Sequence, residues 1–233
     1  MFEYIAENYS RLREEIAAAC IEFGRDPSEV RLMAVTKTVP AEAINYAISL
    51  GIDLIGENRV QEMNEKLPLL NFKGVEVHLI GHLQTNKVRN VVPGVACIQS
   101  LDSLKLACEI SKRAEKAGII QSVLAEVNIG EEDSKFGFSA ANIIPVLEEI
   151  LLLPGLRIDG LMTVAPFTQV ADQNLTNFSA LRNVFLDLKS RSMSNVNMQI
   201  LSMGMSSDYR EAIAAGSTLI RVGSALFGNR HYQ

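Results

Sequence analysis

Short apolar runs alternate with longer helical patterns along almost the entire chain, and no other feature constrains the fold as strongly. The strand-like runs cover residues 32–36, 54–56, 75–81, 96–100, 122–129, 157–163, 198–202 and 218–222. Helical patterns over 41–50, 59–70, 85–91, 103–117, 140–151, 171–190 and 207–215 separate them, and a short one begins at Ser224. Runs this short and apolar read as strands buried on both faces. Strands joined through helices pair in parallel by right-handed crossovers. Eight such units in 233 residues match the count and the roughly 250-residue size of a closed (β/α)8 TIM barrel. A doubly wound open sheet is the alternative, but no G-x-G-x-x-G follows the first strand. Ahead of the first run, Phe2, Ile5, Tyr9, Leu12, Ile16 and Phe23 lie at helical spacing and Gly24 with Asp26-Pro27 closes the segment, which predicts an extra N-terminal docking helix. No linker or low-complexity tract interrupts the pattern, so a single barrel domain over 1–233 is expected, with 130–139 a polar loop on its rim.

Composition narrows the class. With 48% apolar and 21% charged residues and a formal net charge of -5, the chain can bury a large core. The acidic balance speaks against nucleic acid, whose binding rests on clustered lysine and arginine. The densest basic group, Lys112-Arg113 with Lys116, shares its helix with Glu109 and Glu115 as an ordinary solvated face. No run approaches the roughly 18 uncharged apolar residues of a membrane span; the most apolar stretch, 143–156, contains Pro145, Glu148, Glu149 and Pro154. The first residues are acidic where a signal peptide is basic, so a cytoplasmic protein is expected. Cys20, Cys97 and Cys108 suggest neither disulfides nor zinc, and His78-x3-His82 lacks the glutamate of a zinc-protease helix, so no metal is expected.

A barrel of this kind builds its active site from the C-terminal ends of its strands, with phosphate often bound after the seventh and eighth. That rule selects Lys37, Asn58 after Gly56-Glu57, His82, Ser100 with Asp102, Asn128, Thr163, the turn 202–208, and Arg221 to Ser224. Partial desolvation at a strand lip favours the neutral amine of a lysine, the form that attacks a carbonyl to give a Schiff base. A solvated lysine that merely ends a strand is the plainer reading of Lys37. Ser206, Ser207 and Ser224 precede helix starts, where backbone amides, hydroxyls and the helix terminus could form a phosphate cup or simply cap the helices.

Six ordered motifs then carry a resemblance: Ala34-Val-Thr-Lys37, Gly56-Glu-Asn-Arg-Val-Gln-Glu62, His78-Leu-Ile-Gly-His-Leu-Gln-Thr-Asn-Lys87, Gly160-Leu-Met-Thr163, Leu201-Ser-Met-Gly-Met-Ser206 and Ile220-Arg-Val-Gly-Ser224. In order and spacing across essentially the whole chain, they resemble the pyridoxal phosphate homeostasis protein family, whose members look like the barrel domain of alanine racemase standing alone. The resemblance implies a fold-type III barrel binding pyridoxal 5'-phosphate (PLP), with Lys37 as the Schiff-base lysine and Asn58 near the cofactor ring. It places Ser206, Gly223 and Ser224 at the phosphate, Ser202, Met203 and Gly204 in the cofactor-binding wall, and Arg221 opposite the pyridine nitrogen. Ser207 and Val222 stand where the family usually has a small residue and isoleucine.

An arginine opposite that nitrogen discourages its protonation and weakens the cofactor as an electron sink, leaving racemase-like proton transfer or no turnover. Racemisation needs acid-base groups on both faces. Lys37 can serve one. The tyrosine that racemases bring from a C-terminal domain has no counterpart in the twelve residues (233 − 221) after Arg221. Tyr4, Tyr9, Tyr46, Tyr209 and Tyr232 offer no obvious substitute, and His82 and Asp102 at the rim have no assigned role. The function that the resemblance implies is therefore a non-catalytic PLP carrier in intracellular PLP homeostasis and, indirectly, amino-acid and keto-acid balance, with PLP-dependent apoenzymes as acceptors. A racemase-like PLP enzyme is the alternative, and a cofactor-free Schiff-base aldolase a weaker one. A monomer or weak dimer that binds neither nucleic acid nor membrane is expected.

Overall fold

The structure, a computed structural model, describes residues 2–130, 135–166, 171–191 and 195–228. Strands β1 (Arg31–Val35), β2 (Leu54–Glu57), β3 (Glu76–Leu79), β4 (Cys97–Leu101), β5 (Gln121–Asn128), β6 (Phe138–Ser139), β7 (Leu156–Met162), β8 (Val196–Ser202) and β9 (Leu219–Val222) are all parallel. Apart from β6, they form a ring in which β4 pairs with β5 and β9 returns to β1, with Leu32 opposite Ile220. This is the closed eight-stranded barrel that the alternation predicts. The two-residue β6 extends the sheet beside β5, inside the stretch expected to be loop.

The helices are α1 (Glu3–Glu22), α2 (Ala41–Ser49), α3 (Val60–Lys66), α4 (Leu104–Ala117), α5 (Ile143–Ile150), α6 (Ala171–Ser190), α7 (Tyr209–Ala214) and α8 (Ser224–Phe227). Several elements are shorter or tighter than their patterns, three of them for identifiable local reasons. Proline removes an N–H and disfavours helix in the residue before it, so Pro68 stops α3 at Lys66 and leaves a 3₁₀ turn over Leu67–Leu69. Pro145 is tolerated only in a first turn, so α5 starts at Ile143 and not at 140. Thr85–Asn90 forms a 3₁₀ helix because its threonine, asparagines and valine are weak helix formers and only Val88 is buried to anchor it.

Helix α1 docks across α7 and α8 through buried Ile5, Leu12, Ile16, Ala19 and Cys20. Asn8 Nδ2 donates to the Leu226 carbonyl at 3.0 Å, and Tyr209 Oη donates to Glu15 at 2.6 Å. Phe23 departs from the expected stripe: it caps the C-terminus of α1, stays 38% exposed, and its ring lies 5.6 Å from the Arg210 guanidinium.

Strand periodicity divides the core in two. Leu32, Ala34, Ile55, Ile98, Val123, Ala125, Ile220 and Val222 face the helices and join the large outer core. Their neighbours turn into the barrel, where Met33, Leu54 and Leu219 form one small apolar cluster and Cys97, Leu124 and Met162 another. Several other inward positions are polar. His78, Gln99, Ser202 and Arg221 are all at most 4% exposed. Among the described residues no helix is long and apolar enough to cross a membrane.

Candidate functional site

At the C-terminal mouth of the barrel lies a cavity of about 600 Å³ lined by Val35, Lys37, Asn58, Ile80, Val164, Met205, Ser206, Ser207, Arg221, Gly223 and Ser224. It gathers six of the expected cofactor-binding residues: Lys37, Asn58 and Ser206 from the turns after strands one, two and eight, and Arg221, Gly223 and Ser224 from strand nine and the turn after it.

Lys37 stands two residues beyond β1, half-buried, and a dense ionic cluster fixes the lip beneath it. Thr36 donates its hydroxyl to Glu57 at 2.7 Å. Lys66 Nζ donates to the Thr36 carbonyl at 2.6 Å, to Glu62 at 2.6 Å and to Glu57 at 3.2 Å. Glu62 also accepts from the backbone N–H of Thr38. Thr38 has φ +61°, a conformation rare for a β-branched residue and worth on the order of 1–3 kcal/mol of strain. The carboxylate of Glu62 therefore holds the turn that presents Lys37. Burial raises the pKa of Glu57, 1% exposed, against the opposing pull of Thr36 and Lys66.

Asn58 reaches the cavity because the next strand end approaches it closely. A Cβ on Gly81 would sit 2.1 Å from the Asn58 carbonyl oxygen, so only glycine fits there. Asn58 Oδ1 is buried with no hydrogen-bond partner.

Arg221 comes from the inward face of β9. Its Nη1 donates to Ser202 Oγ at 2.7 Å and its Nη2 to the Thr163 carbonyl at 2.7 Å. Both partners are neutral, and the described residues place no carboxylate in ion-pair contact with it. Desolvation lowers its pKa to about 10, with Asp208 and Glu126 acting from farther away to raise it. Glu126, inward on β5, is pushed up to about 7 by burial and by Asp102. It lines a side pocket of about 160 Å³ that shares Val164 with the main cavity.

The turn after β8 and the start of α8 are tied together by one hydroxyl. Ser206 Oγ accepts from the N–H groups of Gly223 (3.2 Å) and Ala225 (3.3 Å). Asp208 closes the same turn by accepting from Met205 N at 2.5 Å.

Three of the cofactor-wall residues lie one layer behind the cavity. Ser202 is wholly buried and donates to Gln99 Oε1 at 2.7 Å; Met203 packs in the outer core. Gly204, with φ +93°, lets the turn pass Ala212, whose Cβ would be 2.5 Å from an added Cβ. His82 and Asp102 do meet at the rim, Nδ1 to Oδ2 at 2.9 Å, but outside the cavity lining, with His82 stacked on Phe136 at 3.7 Å. Tyr232 lies outside the described residues. The sequence reading missed Val35, Ile80 and Val164, gave Met205 in the selected turn no role, and missed the Glu57–Lys66–Glu62 cluster. Period-two alternation back from Lys37 finds Val35, and along β5 from Leu124 it finds Glu126. The i,i+4 pair Glu62 and Lys66 was the available signal for the cluster.

Known proteins share this fold. The family described as the alanine racemase N-terminal domain matches residues 4–231. A pyridoxal phosphate homeostasis protein from Aquifex aeolicus is 42% identical over 97% of this chain and 98% of its own length. The crystal structure of an unknown protein from Bifidobacterium adolescentis superposes with a TM-score of 0.91 at 39% identity, covering 97% of this chain and 95% of that one. PipY of Synechococcus elongatus, solved with PLP bound, gives a TM-score of 0.83 at 34% identity over 96% of this chain and all of its own. Fold and site define a barrel of the alanine racemase N-terminal type. Within that class, the chain belongs to the pyridoxal phosphate homeostasis protein family.

Proposed function

We propose that this chain is a cytoplasmic PLP-binding protein that holds the cofactor through a Schiff base to Lys37 and acts as a carrier in PLP homeostasis. The residues present fit that group. Among the described residues Arg221 is a buried cation in contact with neutral acceptors only, and Asn58 Oδ1 is buried without a partner; both residues line the cavity that also contains Lys37. A buried charge or orphaned polar atom is costly unless something pairs with it. An anionic, aromatic aldehyde supplies a carbonyl carbon for Lys37, an accepting ring nitrogen for Arg221, and a phosphate for Ser206, Gly223 and Ser224. The name of the Aquifex aeolicus relative and the PLP-bound structure of PipY support the same assignment.

When bound, PLP supplies an electron sink for bonds at an amino-acid Cα. The residues around it act otherwise. Arg221 can donate and cannot accept, so it keeps the ring nitrogen unprotonated. Ser206 keeps the two phosphate-side turns in register through its bonds to Gly223 and Ala225. Glu62 and Lys66 hold the lip from which Lys37 extends. This arrangement anchors a reactive aldehyde more than it promotes turnover, and PLP-dependent apoenzymes are the natural acceptors. The single observation that carries the reading is the convergence of Lys37 and Arg221 on one cavity. Borohydride reduction of the purified yellow protein, followed by peptide mapping, should place the phosphopyridoxyl label on Lys37. A label on Lys87 or Lys135 instead would refute it.

A further inference from the structure

The interior of the barrel holds a chain of polar contacts that runs from Arg221 at the cofactor mouth through hydrogen bonds to His78, and on to Glu76 towards the opposite mouth. Arg221 Nη1 donates to Ser202 Oγ at 2.7 Å, and Ser202 Oγ donates to Gln99 Oε1 at 2.7 Å. Gln99 Nε2 lies 2.8 Å from His78 Nδ1, and His78 Nε2 lies 3.4 Å from Glu76 Oε2. Ser202 and Gln99 are 0% exposed and His78 is 2% exposed. His78 also lines a cavity of about 260 Å³ with Leu54, Ile200 and Leu219, residues at the early ends of β2, β8 and β9 or packed beside them.

The direction of this chain follows from its first member. A guanidinium only donates, so Ser202 Oγ must accept from it and send its own hydrogen onward. Among the described residues the one acceptor it meets is the Gln99 carbonyl, which orients that amide and turns its NH2 toward His78. Nδ1 must then accept, and the ring proton belongs on Nε2, facing Glu76. Reversing Gln99 would leave the Ser202 hydrogen without an acceptor in a site sealed from water, at the cost of an unsatisfied buried group. An apolar layer would fill the barrel as well as these side chains do, so packing alone does not account for them.

We propose that Gln99 and His78 are positioning residues for Arg221. They orient the Ser202 hydroxyl so that one edge of the guanidinium is held by Ser202 and Thr163 and the remainder faces the cavity. The inference rests on the PLP reading, since its consequence is the fixed placement of Arg221 toward the cofactor ring.

The first test needs no cofactor. Long-range ¹H–¹⁵N spectra of the unloaded protein should show His78 unprotonated at Nδ1 and protonated at Nε2. A proton on Nδ1 would overturn the chain, and this result is independent of whether PLP binds at all. Gln99→Glu presents acceptors on both sides, so it should move the His78 proton to Nδ1 while keeping the Ser202 bond; an unchanged tautomer counts against the chain. In the loaded protein, Gln99→Leu should shift the visible absorption maximum and weaken PLP binding about tenfold, the scale of a misplaced hydrogen bond to a charged group. A Gln99→Leu protein that loses stability but keeps both the absorption maximum and the PLP affinity of the parent would reduce Gln99 to a packing role. Should that variant fail to fold, the tautomers of the parent and of Gln99→Glu still decide.

Discussion

Lys66→Met is the substitution that best separates the buried lip cluster from an ordinary surface ion pair. Methionine keeps most of the aliphatic stem and removes the ammonium, deleting bonds to the Thr36 carbonyl, Glu57 and Glu62. Glu57 is then left 1% exposed with only Thr36 bound to it, and its Oε2 already has no partner. Removing one member of a buried pair costs about 3–5 kcal/mol. Because the Lys66 side chain is 13% exposed, the lower end, about 3 kcal/mol, is expected. The pH dependence has a definite sign. Burial already raises the pKa of Glu57, and losing Lys66 raises it further. A carboxyl with a folded pKa above its unfolded one favours the fold below the ordinary carboxylate range, and that benefit is lost as pH rises through the folded value. The deficit should therefore be small near pH 5 and full at pH 8. Urea unfolding at several pH values measures it through the shift of the midpoint at constant slope. Adding Glu57→Gln should recover much of the loss at pH 8. A deficit below about 1 kcal/mol, the ceiling for exposed pairs, or one that does not vary with pH, would refute the reasoning.

Three further outcomes are expected. Ser224→Ala should cost on the order of 1.5–3 kcal/mol of PLP affinity, the range for a hydrogen bond to a charged group, and pyridoxal without phosphate should bind far more weakly; equal affinity for the two aldehydes would rule out the phosphate cup. Glu126→Gln should stabilise the protein more at pH 8 than at pH 5, because the raised carboxyl of Glu126 weakens the fold as pH climbs through about 7; denaturant midpoints report it. Incubation with L- and D-amino acids in deuterium oxide should give slow Cα exchange without inversion by NMR, since no tyrosine or histidine lines the cavity among the described residues; racemisation near the roughly 10 s⁻¹ median of enzymes would overturn the carrier reading.

The barrel was legible because each strand and helix carries its own period, and Lys37, Asn58, Ser206, Arg221, Gly223 and Ser224 were legible because strand ends map to one mouth. What the sequence concealed are contacts between residues far apart in the chain. Nothing near Ser202 says that its hydroxyl points to Gln99, 103 positions earlier, and away from the cavity. Met203 sits on the outward face because β8 alternates, a parity that shifts wherever a strand is irregular, as it does between Ile158 and Gly160 on the neighbouring β7. The pairing of His82 with Asp102 and its stacking on Phe136 likewise join three separate loops.

These concealed contacts explain how the barrel can tolerate Arg221. A carboxylate in direct contact would make the cation easier to bury, and it would also cancel the field that the cavity presents. Neutral acceptors at Ser202 and Thr163 satisfy two of its donor edges and leave the charge intact. Asp208 and Glu126 keep it protonated from a distance, and with a pKa of about 10 it is still a cation at neutral pH. Neutral partners need exact orientation where a carboxylate would need only proximity, because a hydroxyl can donate as readily as it accepts. Polar residues through the middle of the barrel, where apolar layers would pack equally well, are the consequence. The fold gives up apolar burial there, and the cavity keeps a fixed positive charge for an anionic, nitrogen-bearing ring.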